Sequence, residues 1–144
     1  MSSPAVPGNT LLVDTGFVVA LFRRRDRLRA AARNFLAGSK APLATVAPVI
    51  VEACFFLAAE EKQNLLEWVR RGAVAVLDLP VDAYPKVSWL IGKYADRDPD
   101  FTDMALLWIA QTHACHRVLT VDVADFAVYR GKSGKALELP QWMD

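Results

Sequence analysis

Residues 10–22 read TLLVDTGFVVALF, and the way this stretch divides decides the fold. TLLVD is a short apolar run that ends in an acid, and TGFVVALF continues the apolar density at helical spacing. The reading is strand, turn, helix, the opening of a βα unit. Downstream, residues 26–37 (DRLRAAARNFLA) place Leu28, Ala32 and Phe35 on one face of a predicted helix, with Gly38 as its stop. APLATVA (41–47) is a second strand, Pro48 opens a helix predicted to run through 59, and residues 60–72 form another that Gly72 ends. AVAVLDLP (73–80) is a third strand and DAYPKVSWLIGKYA (82–95) a helix that takes Pro85 in its first turn. DFTDMALLWIAQTHA (100–114) is a nearly wholly apolar helix, HRVLTVD (116–122) a fourth strand and KALELP (135–140) a candidate fifth. Strands alternating with helices predict a three-layer α/β/α sandwich around a mostly parallel sheet of four to five strands.

The chain has 144 residues, 53% of them hydrophobic, enough for one domain with its own core and no need of disulfides. Residues 10–144 are expected to form that domain and residues 1–9 a flexible tail. With 17 basic and 16 acidic residues, bulk charge says nothing about partners, so only charge placement can. Cys54 and Cys115 lie in apolar segments and are read as reduced thiols. MSSPAVPGNT lacks a basic region followed by an apolar run, which points to the cytoplasm. Residues 41–59 are long enough to test as a membrane span, but Pro48 and Glu52 would lie deep in hydrocarbon.

Ligands of open parallel sheets bind beyond the carboxyl ends of the strands, where Asp14 ends the first strand and Asp122 the fourth. Asp100 and Asp103 begin a helix whose N-terminus welcomes carboxylates without any further role, and strand-end acids also cap helices. Glu52 is harder to place. It stands inside PVIVEACFFLAA (48–59) with no basic residue within one turn. It is either a carboxylate at the rim of its helix, the partner of a distant arginine, or part of a metal site. Clustered buried carboxylates are unfavourable unless a cation offsets them, and hard oxygen donors suit magnesium or manganese.

Taken in order, LLVDTGFVVALF, the VEA within an apolar helix, DFTDMALLWIA and VLTVDVADF resemble the PIN domain, and among its members the VapC-type ribonuclease toxins. The resemblance covers about residues 10 to 140. Carried over position by position, it implies that Asp14, Glu52, Asp103 and Asp122 are the catalytic acids, with Asp14, Asp103 and Asp122 as metal ligands and Asp100, Thr120 and Asp125 as accessory residues. It further implies a Mg²⁺- or Mn²⁺-dependent endoribonuclease that acts on RNA, forms a homodimer and is inhibited by a cognate antitoxin encoded beside it.

FRRRDRLRAAAR (22–33) carries six arginines close after the first acidic loop. Arg23, Arg24 and Arg25, with Arg130 in the later DFAVYRGKSGK, are candidates for holding RNA or an antitoxin, and a solvated helix face is equally open. Tyr129, Lys132 and Lys135 share that later loop. His113, Cys115 and His116 lack the spacing and the fourth ligand of a zinc site. Trp68, Trp89, Trp108 and Trp142, with Phe55 and Phe56, suggest surplus apolar surface for a dimer through residues 48–70 or 82–95. Two other functions fit the strand pattern: a non-catalytic PIN-like scaffold for RNA or protein, and a receiver-like phosphoacceptor domain built on Asp14, Asp78 and Thr120.

Overall fold

The computed structural model describes residues 6–144. The strand, turn and helix predicted at the start are present: β1 (Leu11–Val13) is wholly buried and runs through Asp14 into α1 (Thr15–Phe22). Phe17 to Leu21 of α1 are all buried, as its unbroken apolar sequence requires. The chain continues through α2 (Arg29–Ala37), β2 (Leu43–Val46), α3 (Ala47–Cys54), α4 (Ala59–Arg70) and β3 (Ala75–Leu77). It ends with α5 (Tyr84–Lys93), α6 (Phe101–His113), β4 (Arg117–Leu119) and the short α7 (Val123–Phe126).

All strand pairs are parallel, in the order β3-β2-β1-β4. The chain steps outward from β1 to β2 and β3, then returns to lay β4 on the other side of β1, with Leu12 opposite Val118 and Val13 opposite Leu119. The order therefore reverses between β1 and β4, which makes the carboxyl ends of these two strands the natural crevice. α1 packs with α2, α3 and α4, while α6 lies against β2 and α5. Met104 to Leu107, Ile109 and Ala110 bury most of α6. The sheet flanked by helices is the α/β/α sandwich expected.

Three boundaries differ from the sequence reading. The helix predicted through 59 stops at Cys54, where Phe55, Phe56 and Leu57 donate to Glu52, Ala53 and Cys54 carbonyls in tight turns. These turns bury Leu57 and leave Phe55 76% and Phe56 57% exposed. α2 begins only at Arg29, because the Asp26 side chain accepts from Leu28 N at 2.9 Å and spends residues 26–28 in a turn. The candidate fifth strand reduces to two isolated bridges, Arg117 to Glu138 in parallel and Arg130 to Ala136 in antiparallel, so the sheet has four strands.

Of the tail, residues 1–5 lie outside the described residues. Val6 packs against the core, and Thr10 N donates to Pro7 O at 3.0 Å. Trp142, counted above among surplus aromatics, is buried: its ring meets Phe17 edge-on at 4.8 Å and its Nε1 donates to Thr120 O at 3.1 Å. Both cysteines are free. Among the described residues no helix is long and apolar enough to cross a membrane.

Candidate active site

Asp14, Glu52, Asp100, Asp103 and Asp122 line one cleft of about 670 Å³. Asp14 forms its floor, only 2% exposed, where the β1–α1 turn places it as the N-cap of α1. Its Oδ1 accepts from Thr15 N at 2.8 Å and its Oδ2 from the Thr120 hydroxyl at 2.9 Å. Thr120 also accepts from Asp122 N at 2.9 Å, so one hydroxyl at the end of β4 ties two acidic positions together. Gly16 permits this closeness, because a Cβ there would collide with the Val121 side chain.

Glu52 finds no arginine. The Thr102 hydroxyl donates to its Oε1 at 2.6 Å and the Thr15 hydroxyl to its Oε2 at 3.3 Å. The half-buried carboxylate is thus turned from α3 toward the starts of α1 and α6. Asp100 caps α6 by accepting from Asp103 N at 2.8 Å, which leaves the half-buried Asp103 side chain free to face the cleft from the first turn. None of the four catalytic candidates, nor Asp100, has a cationic side chain within salt-bridge distance among the described residues.

That lack of compensation shows in their proton affinity. Burial pushes Asp14 from 3.8 up to about 6, and Asp122 and Asp100 add to the rise. Asp103 rises further, to about 8, through burial first and then the charges of Asp14, Asp100, Asp122 and Glu52. Asp122, at the rim, is raised by desolvation and by Asp125 and Asp100. Near neutral pH Asp103 thus retains a proton that an isolated carboxyl would release.

The donor set suits a hard divalent cation, since carboxylate and hydroxyl oxygens line the acidic wall and their mutual repulsion is what such a cation would relieve. Among the described residues no three of these side chains already stand in a ready ligand cluster. Asp14, Asp103 and Asp122 all contribute to the lining of this cleft.

Over residues 11–132 the sequence matches the family described as PIN domain, a span that takes in all four acids. This chain belongs to the PIN domain family. The fold of this PIN domain is also similar to the crystal structure of Mycobacterium tuberculosis VapC20, which is named a Sarcin-Ricin loop cleaving toxin. The TM-score is 0.72 with 17% sequence identity, covering 80% of this chain and 93% of that one. A comparison with curated proteins gave no match.

Several sequence candidates lie elsewhere in the PIN domain. Asp125 is outside the cleft lining and pairs with Arg97 at 3.1 Å. Arg130 turns its guanidinium onto the carbonyls of Ala127, Val128 and Tyr129 at 2.9, 3.2 and 3.1 Å, closing the turn after α7. Tyr129 is fully buried between Tyr94 and Phe126 and is no surface contact for RNA. Arg23 and Arg25 line the cleft together with Arg27, whereas Arg24 pairs with Glu60 at 2.6 Å. His116 Nε2 accepts from Lys132 N and Cys115 Sγ leans on His113 O, local contacts unrelated to metal. Asp78 borders other grooves, and β2 separates its strand from that of Asp14, which removes the receiver-like pocket. The sequence reading missed Thr15, Gly16 and Thr102 as site residues. Their only signal is adjacency to Asp14 and Asp103.

Proposed function

We propose that this PIN domain is a Mg²⁺- or Mn²⁺-dependent endoribonuclease of the VapC toxin type. The observation that carries the reading is the set of four acidic side chains, drawn from α3, α6 and the ends of β1 and β4, on one cleft with no cationic side chain within salt-bridge distance of them among the described residues. A structural cluster of this kind would be unfavourable with no return, and capping explains only Asp14 and Asp100.

A divalent cation held by Asp14, Asp103 and Asp122 would supply Lewis acidity toward a phosphodiester and a water. The residues provide the rest. Thr15 N and Thr120 fix both oxygens of Asp14, so its carboxylate needs no rearrangement when the substrate arrives. Asp103, held protonated to about 8 by burial and the neighbouring acids, would serve such a cation as its carboxylate. Glu52, oriented by Thr102 and Thr15, positions the attacking water. The water oxygen bonds to phosphorus, the bond to the leaving sugar oxygen breaks, and the water's proton passes to solvent while the leaving oxygen gains one.

The PIN-domain likeness to VapC-type toxins supports a cognate antitoxin as inhibitor and the cytoplasm as the place of action. A homodimer fits an apolar groove beside α3 and α5, where Val51 is 56%, Phe55 76% and Tyr84 52% exposed. The test is cleavage of total RNA by the purified chain with Mg²⁺ or Mn²⁺, with EDTA, and with Asp103→Asn. Metal-dependent cleavage lost in the variant is expected. RNA binding without cleavage would instead favour the non-catalytic scaffold. The sarcin-ricin loop, the target in the name of VapC20, is the first defined RNA to try.

A further inference from the structure

Besides the acids, the cleft is lined by the segment joining α1 to α2, which presents Arg23, Arg25 and Arg27. All three are exposed, and none has a carboxylate within salt-bridge distance among the described residues. A polyanion approaching the acids therefore meets a basic wall in the same cleft. Such a wall is useful only if it is held in place, and six arginines within twelve residues repel one another.

The device that holds it is on α4. Glu61 is 8% exposed, and both of its oxygens are engaged: Oε1 accepts from Ala58 N at 2.7 Å and Oε2 from Arg24 N at 2.6 Å. The first bond closes the start of its own helix. The second does not belong to the helix and reaches across to the backbone of the arginine segment. Beside it Glu60 draws the Arg24 guanidinium toward α4, so that residue 24 faces away while 23, 25 and 27 face the cleft. Turns at Asp26 complete the segment, with Asp26 N donating to Arg23 O at 3.0 Å and Leu28 N to the Asp26 side chain at 2.9 Å.

We infer that Glu61 is a positioning residue that fixes the 23–28 segment as a phosphate clamp, so that Arg23, Arg25 and Arg27 hold the RNA backbone flanking the bond cut at the acids. This rests on the nuclease reading above. The clamp acts on binding and the acids act on chemistry, so the two separate in kinetics. Glu61→Ala is expected to raise KM for RNA roughly tenfold while kcat stays within about twofold, and to flatten the dependence of log KM on log salt by about one to two phosphate contacts. Combined Arg23→Ala, Arg25→Ala and Arg27→Ala produces an equal or larger rise, and adding Glu61→Ala to that triple variant changes nothing further. Glu67→Ala removes only the exposed ion pair with Arg70 further along the same helix and leaves KM near that of the unaltered chain.

Glu61→Gln keeps one accepting oxygen and covers the case in which alanine unfolds the protein; it gives a smaller rise of the same kind. A purely helix-capping Glu61 would lower the melting temperature and leave KM and its salt dependence unmoved, which overturns the inference, as would additive effects of Glu61→Ala and the triple variant. Fluorescence anisotropy of a labelled single-stranded oligoribonucleotide on Asp103→Asn, with and without Glu61→Ala, measures the clamp with no cleavage involved. Absence of cleavage by the unaltered chain alone would refute the nuclease reading; equal RNA affinity with and without Glu61→Ala refutes the clamp.

Discussion

Replacing Asp14 with asparagine is expected to make the cation-free protein more heat-resistant at neutral pH while abolishing cleavage. The unfolded chain releases this proton near 3.8 and the folded chain only near 6. As pH rises through that interval the unfolded state loses its proton first, so the folded state is progressively disfavoured, and the penalty is complete above about 6. It amounts to about 3 kcal/mol at about pH 7.5 and about 1 kcal/mol at about pH 4.5. Asparagine removes the charge and keeps the contacts, since its oxygen can accept from Thr15 N and its amide can donate to the Thr120 hydroxyl. At about 3 °C per kcal/mol for a chain of this size, the variant should melt some 8 °C higher at neutral pH and about 3 °C higher in acid. Thermal unfolding followed by circular dichroism in EDTA at both pH values measures this. Saturating Mg²⁺ should then stabilise the unaltered protein and not the variant. An asparagine variant no more stable than its parent at neutral pH, or equally favoured at both, would refute the claim that the acidic cluster is uncompensated.

Three other outcomes follow from particular contacts. Because Asp103 holds its proton up to about 8, affinity for Mg²⁺ or Mn²⁺ should climb with pH and level off above that value, with proton release seen by calorimetry in two buffers of different ionisation enthalpy; a flat profile refutes it. Ala114 ends α6 at φ 53, a left-handed conformation that glycine adopts freely, so Ala114→Gly should raise stability by about 1 kcal/mol in urea titrations. Trp142→Ala empties the space against Phe17 and should lower stability by about 3–5 kcal/mol in the same assay; a loss below about 1 kcal/mol would mean that the ring is not part of the core.

The βα units were legible because their periods are clean: LLV followed by TGFVVALF admits one division, and α6, apolar from Met104 to Ala110, can only be buried. Where the pattern carries no punctuation it misleads. VIVEACFFLAA offers no polar residue after Glu52 to mark the end of a helix, yet the chain turns at Phe55 so that Leu57 can enter the core. Asp14, Asp103 and Asp122 stood out at strand and helix ends and Glu52 as a lone charge in an apolar helix, whereas the hydroxyls of Thr15 and Thr102 find their partners only through tertiary contact. The same holds for Glu61, which reads as one of two acids in the first turn of an ordinary amphipathic helix until its second oxygen is seen on the backbone of residue 24.

The central position of β1 has a temporal consequence. Thr120 meets Asp14 across a separation of 106 residues, and β4 pairs with β1 only after everything between has been made. A chain emerging from the ribosome can assemble the earlier βα units, but it cannot fix Asp14 or bring Asp122 beside it until the last strand is free to dock. With so distant a pairing the closing step is a slow one. The cleft would therefore be completed late and abruptly, only once β4 has docked beside β1.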